Sequence, residues 1–108
     1  MPRFGDPVEV YAAPLSDGVY TRSRDWASAH RVWAGLAHVQ PDRSFEVRSP
    51  ERETSQERLF VYLPWGVPVH AVDRIRYGGE WFEVDGEPMR WGHGSLRHVR
   101  IRAWRAMH

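Results

Sequence analysis

The chain has 108 residues and a formal net charge of +1, enough for one domain over residues 1–108 and too balanced in charge to point to nucleic acid or a membrane by bulk charge. It contains no cysteine, which excludes a disulfide framework and any thiolate-bound zinc or iron–sulfur centre. The first residues, Met1 to Asp6, lack the apolar core of a secretory leader, and no stretch approaches the ~20 apolar residues of a membrane span, so the reading is a soluble protein without membrane partners.

All 15 basic residues are arginine; lysine and asparagine are absent, a bias that suits a GC-rich genome. Arginine stacks on aromatic rings and pairs with carboxylates through a planar fork, and six tryptophans are present to receive it.

Proline and glycine punctuate the chain too often for long helices. The best helical stretch, Trp26 to Trp33, is interrupted at Gly35 and fits extended structure as well. Five or six strands are predicted. The first is Pro7 to Ala13, with Val8 and Val10 on one face and Glu9 and Tyr11 on the other. A turn-rich loop from Pro14 to Asp25 follows. The second strand runs from about His30 to Gln40. After it comes a polar segment, Pro41 to Gln56, long for a small barrel and therefore a candidate for function. The third strand, Glu57 to Leu63, alternates Leu59, Val61 and Leu63 with Phe60 and Tyr62. Two apolar faces predict a strand covered on both sides.

A hairpin follows: Asp73 to Tyr77, then Gly78-Gly79, then Glu80 to Val84. A two-residue Gly-Gly loop admits the positive φ angles of tight hairpin turns and sets the register: Tyr77 opposite Glu80, Arg76 opposite Trp81, Ile75 opposite Phe82, Arg74 opposite Glu83. Ile75, Phe82 and Val84 then face the core, leaving an outward Arg74–Glu83 ion pair and an Arg76–Trp81 cation–π pair. The last strand is Leu96 to Trp104, with Val99, Ile101 and Ala103 inward and His98, Arg100 and Arg102 outward. Short strands at regular spacing predict an all-β fold: a small closed or partly open antiparallel barrel with long inter-strand loops.

No nucleophile elbow, phosphate loop, dinucleotide fingerprint or zincin motif is present. His93 and His98, five apart, fall on opposite faces of a strand and lack a third ligand, so neither catalytic residues, a metal site nor a cofactor is assigned. Glu80, Glu83, Asp85 and Glu87 form an acidic run, followed by Arg90, Arg97, Arg100, Arg102 and Arg105 without an acid. Such segregation fits head-to-tail subunit contacts, or pairing between neighbouring strands of one chain. Trp65, between prolines, and Trp104, on the outward face of the last strand, are the better interface aromatics.

The order of these parts resembles the head-closure, or stopper, proteins of the siphophage head-to-tail connector: Val8-Glu9-Val10, Asp25-Trp26, Gly35 and Val39-Gln40-Pro41, the polar loop, Asp73-Arg74-Ile75, Gly79-Glu80-Trp81-Phe82-Glu83-Val84-Asp85-Gly86-Glu87-Pro88, Trp91 and His98-Val99. The resemblance covers nearly the whole chain, and each motif in it is short. It implies a non-enzymatic barrel forming a homo-oligomeric ring, twelvefold in such assemblies, at the head–tail junction of the virion. Portal and adaptor proteins lie above such a ring and tail proteins below. The long loop projects into a channel holding double-stranded DNA, contacted without sequence preference. By position, its residues here are Arg43, Phe45, Glu46, Val47, Arg48, Glu51, Arg52 and Glu53. Trp65, Arg76, Trp81, Glu83, Arg100, Arg102 and Trp104 are the candidate subunit contacts. Two other readings stay open. One is a single-stranded nucleic-acid-binding barrel of OB or SH3-like type using Arg76, Trp81, Arg100, Arg102 and Trp104. The other is a tail-terminator or tail-completion protein.

Overall fold

The structure is a computed structural model that describes residues 4–17, 22–42 and 55–107. The nine strands among the described residues are β1 (Asp6–Ala12), β2 (Leu15–Asp17), β3 (Arg22–Arg24), β4 (His30–Pro41), β5 (Ser55–Pro64), β6 (Arg74–Tyr77), β7 (Glu80–Val84), β8 (Met89–Trp91) and β9 (His98–Met107). The main sheet runs β5-β4-β1-β6-β7-β9-β8, and β5 also pairs with β9. Every pairing is antiparallel, so six strands close into a barrel and β8 hangs on β9 as a seventh. β2 and β3 make a separate two-stranded sheet.

Strand alternation decides what fills the barrel. Val8 and Val10, Leu59, Val61 and Leu63, Ile75, Phe82 and Val84, and Val99, Ile101 and Ala103 are all buried. Register stacks them into inward-facing rows: Val10 opposite Ile75 opposite Phe82, and Val39 opposite Val61 opposite Ile101. Closure needs a bend, and β4 supplies one: the pairing with β1 slips between Val10 and Tyr11, leaving Val32 without an opposite number. Both Val32 and Trp33 then pack against the core. The Trp33 ring lies over Gly35, where an added Cβ would stand 2.6 Å from it.

The hairpin has the register its Gly-Gly loop predicts, from Arg74 opposite Glu83 to Tyr77 opposite Glu80. Gly78 and Gly79 take φ of 61° and 79°, the left-handed values such a turn requires. Elsewhere the strand ends differ from those predicted. β4 takes in Pro41, β5 begins at Ser55, and β9 starts at His98 after a 3-10 turn over Gly94–Leu96 and extends to Met107. The polar segment is thereby shortened at both ends. Its candidate channel residues Arg43, Phe45, Glu46, Val47, Arg48, Glu51, Arg52 and Glu53 all lie outside the described residues. The predicted loop from Pro14 to Asp25 contains β2 and β3, and Trp26–Ser28 is a 3-10 turn capped by the Asp25 side chain.

The expectation that the third strand is covered on both sides is corrected. Among the described residues no second layer of secondary structure lies on Phe60 and Tyr62. They are only half-buried, and side chains of neighbouring strands cover them.

Each end of the barrel is closed differently. At the end where β5 finishes, Val67 and Val69 from the following loop are buried. Arg90 of β8 ties that loop down, donating to the carbonyls of Val67 at 3.3 Å and Val69 at 2.6 Å. Asp73, itself buried, accepts from the His70 amide at 2.8 Å. At the end where β9 finishes, Arg105 points inward, bonded to Glu57 at 2.7 Å and 3.7 Å from Glu80, with its guanidinium 5.7 Å from the Phe82 ring.

Arg90→Ala is expected to strand the Val69 carbonyl, while the Val67 carbonyl keeps the Val69 amide, and to lower stability by about 1–2 kcal/mol, because an unsatisfied acceptor costs roughly that much. A thermal melt checks it: the midpoint falls by about 5–10 °C in a domain of this size. Arg97→Ala, whose exposed side chain makes no hydrogen bond among the described residues, leaves it in place.

Candidate interaction surfaces

Among the described residues no group of three or more His, Asp or Glu stands where it could hold a metal ion, and no helix is long and apolar enough to cross a membrane. The chemistry the barrel presents lies on its outer wall, in two places.

The first surface covers β1, β6 and β7. Outward rows follow from register: Tyr11, Arg74, Glu83 and Trp104 in one, Glu9, Arg76 and Trp81 in the next. Tyr11 and Trp81 meet edge to face with centroids 4.7 Å apart. The Arg76 guanidinium sits 5.1 Å from the Trp81 ring, the cation–π pair expected from sequence. Arg74 lies 4.1 Å over Trp26, delivered by the 3-10 turn, and 3.7 Å from Glu83. Tyr11, Trp26, Ala29, Arg74 and Trp81 line a depression of about 430 Å³. Beside it Arg31 bonds Glu9 at 2.8 Å, and that hydrogen bond, then the carboxylate charge, raises the guanidinium pKa further. The charges of this face largely satisfy one another, and its aromatic rings remain presented.

The second surface covers β4, β5, β9 and β8. Its rows are Gln40, Phe60 and Arg102; His38, Tyr62, Arg100 and Met89; and Pro64, His98 and Trp91. Arg100 and Arg102 stand 5.7 Å and 5.6 Å from the Phe60 ring. Tyr62 lies between His38, at 5.9 Å, and His98, at 5.6 Å. Where this face meets the end of the barrel, Phe4, Met89, Trp91, Ser95, Leu96, Arg97 and His98 line a groove of about 450 Å³.

The seven candidate contact residues are therefore divided. Arg76, Trp81 and Glu83 belong to the first surface. Arg100 and Arg102 belong to the second. Trp104 stands in register between Glu83 and Arg58, at the seam. Trp65 lies apart, in the loop after β5. It is 45% exposed, with its ring close enough to Gly92 that a Cβ there would stand 3.0 Å from it. In the closed six-strand ring, β1-β6-β7 and β9-β5-β4 are complementary halves of the wall. The set Arg76, Trp81, Arg100, Arg102 and Trp104 thus does not form one continuous stacking platform. Of the acidic run, Glu80 pairs with Arg105, but Glu83 turns to Arg74 and Asp85 bonds Arg58 at 2.9 Å, so only one pair joins the acidic hairpin to the basic last strand.

Sequence reasoning missed the groove and the part of Tyr11 and Trp26 in the first surface. Phe4, Met89, Trp91 and Leu96 come from three separate segments, and no local pattern links them.

No protein-family model matches the chain, and no curated protein matches it. The fold is similar to the solution structure of protein SF1141 from Shigella flexneri 2a, with a TM-score of 0.63 over 95% of this chain and 93% of that one at 14% sequence identity. At that identity the likeness extends to the fold alone.

Proposed function

We propose that this chain is a structural subunit of the head-to-tail connector of a tailed phage. In that role it forms a ring, closes the head around packaged DNA and offers a docking face to the tail. The observation that carries the reading is the division of the barrel wall: two chemically different faces on opposite halves of a small rigid body. One is aromatic with internally paired charge; the other is basic and apolar. Contacts between unlike faces are heterologous, and they close into rings when the rotation per subunit divides a circle. The resemblance in the order of sequence parts gives the ring its place, between portal and adaptor proteins above and tail proteins below. The β4–β5 connection, residues 43–54, is the arm that reaches the double-stranded DNA.

The test is genetic. In a phage carrying this gene, a nonsense mutation in it is expected to give heads that package DNA, lose it, and accumulate beside unjoined tails in electron micrographs. Plating at the parental efficiency without the protein would overturn the proposal.

Arg100 and Arg102 around Phe60, with Tyr62 beside them, favour a second reading, single-stranded nucleic-acid binding by the β9-β5-β4 face. Oligo(dT) binding that weakens steeply with salt, and with Arg100→Ala, would support that reading over the first.

A further inference from the structure

We propose that the open edge of β8 and the groove beside it bind an extended, acidic peptide segment of another protein by strand addition. The inference stands apart from the connector proposal, since it rests on one sheet edge and its surroundings.

Every barrel strand is paired on both edges, whereas β8 has β9 on one side and no strand on the other among the described residues. The cause lies in β9. β7 pairs with it only at Ala103 and Trp104, leaving the edge at His98 to Arg100 to be covered by Met89 to Trp91. The chain covers that edge with three residues and so passes the exposure outward. Unpaired strand edges are templates for another strand, and a folded protein that leaves one open beside apolar surface has a binding site or an aggregation hazard.

Apolar surface lies beside this edge. Phe4, Met89, Trp91 and Leu96 are 40%, 41%, 46% and 53% exposed and line one groove. Trp91 is held by an edge-to-face contact with His93, at 5.4 Å between centroids. A clustered apolar patch on a small domain marks a contact site more often than chance exposure does.

Charge selects the occupant. Among the described residues no carboxylate lines the groove, and residues 88–108 contain no Asp or Glu, whereas Arg97 and His98 line it and Arg100 reaches Met89 Sδ at 3.6 Å. Asp85 and Glu87 line an adjoining depression with Met89, Arg100 and Arg102, which leaves Arg97 and His98 as the basic groups of the groove itself. An added strand sends alternate side chains to opposite faces. The set on the groove face would meet Phe4, Met89, Trp91 and Leu96 with its apolar members and Arg97 or Arg100 with a carboxylate. The bound segment therefore carries apolar and acidic residues together. A nucleic acid could use the rings and arginines, but it has no use for a row of backbone donors and acceptors.

A library of random peptides displayed on yeast, sorted against the fluorescently labelled full-length chain, tests this. Enrichment of peptides with β-branched or aromatic residues interspersed with Asp and Glu is expected. The synthesised consensus peptide is expected to bind about tenfold more weakly to the Leu96→Glu/Arg97→Glu variant, with the fold of that variant checked by circular dichroism. Both altered side chains are exposed, so folding is expected to survive. Methylating the peptide's alternate backbone nitrogens on one register is expected to abolish binding, and on the other register to leave it within about twofold, because only one set faces β8. The proposal is overturned by failure to enrich any peptide, by enriched peptides without acidic residues, by equal sensitivity to both methylation registers, or by full-strength binding to the double variant. Displacement of the peptide by oligo(dT) in an Arg97-dependent manner would assign the groove to nucleic acid and overturn it too.

Discussion

Phe82→Ala is expected to cost about 4 kcal/mol, a large fraction of the roughly 5–15 kcal/mol that holds a domain of this size folded. Phe82 is 2% exposed and is among the largest fully buried side chains of the barrel. It sits in register with Ile75, which is in turn opposite Val10, so one ring joins three strands across the interior. Its neighbours cannot close the space it leaves. β6 and β7 are tied by a tight two-residue turn, and the ion group of Arg105, Glu57 and Glu80 fixes the end nearest the ring. Collapse would have to break those contacts. In a urea titration the midpoint is expected to fall sharply, with Trp81→Ala as the comparison. Trp81 precedes Phe82 in the same strand, is larger, and is 42% exposed on the outer face. It loses an edge-to-face contact with Tyr11 and the Arg76 cation–π pair, worth about 1 kcal/mol together. Similar losses at the two positions would mean that strand alternation does not set the inside of this barrel.

The same alternation explains how much of the fold could be read in advance. The hairpin from Arg74 to Val84 was legible to the residue, because a Gly-Gly loop leaves only one register and a register leaves only one inward face. The inward residues of β1 and β9 were legible from the period-two alternation of apolar and polar side chains, whereas β5, apolar on both faces, did not declare its inward side. What escaped prediction depends on contacts between distant segments. β8 is three residues, too short to show a period, and it forms because β7 leaves part of the β9 edge uncovered. The sequence pattern ends the last strand at Trp104, and the strand runs on through Arg105 to Met107. Arg105 turns inward because Glu57 and Glu80, from two other strands, meet it at the barrel mouth. Phe60 and Tyr62 suggested a second covering layer, and the cover is instead the guanidinium and imidazole groups of adjacent strands. Arginine can do this because its planar head stacks while its edge stays in water. The candidate contact residues were individually well placed on the outside, but how they divide between two faces follows from barrel closure, which no local pattern encodes.

Replacing Ser44–Thr54 with a short Gly-Ser linker is expected to leave the barrel folded while a connector built from it fails to hold DNA. The stability half of that expectation follows from where the barrel's bonds lie. β4 and β5 are already locked together before the connection begins, from Pro41 opposite Leu59 to the Asp42 amide bonded to the Arg58 carbonyl at 2.8 Å. On the other side, Ser55, Gln56 and Glu57 are held by β9. The buried core of the described residues is built by the strands and by Val67 and Val69 of the loop after β5. Loop-closure entropy changes by only about 0.6 kcal/mol per doubling of length, so a stretch that adds nothing to the core moves the melting midpoint by no more than a few degrees when replaced. The linker is needed, because joining Arg43 directly to Ser55 would pull the start of β5 away from β9 and break the Glu57–Arg105 pair at the barrel mouth. The functional half belongs to the connector proposal. Arg43, Arg48 and Arg52 alternate with Glu46, Glu51 and Glu53, so in that proposal the arginines meet phosphate, the glutamates temper the attraction, and loss of the arm removes contact and bulk together. Virions assembled with the linker variant are expected to release their DNA, scored by nuclease sensitivity after filling. Folded variant protein that retains DNA as well as the parent would remove the arm from the mechanism. A barrel that melts far below the parent would instead place residues 44–54 in the fold, not in the gate.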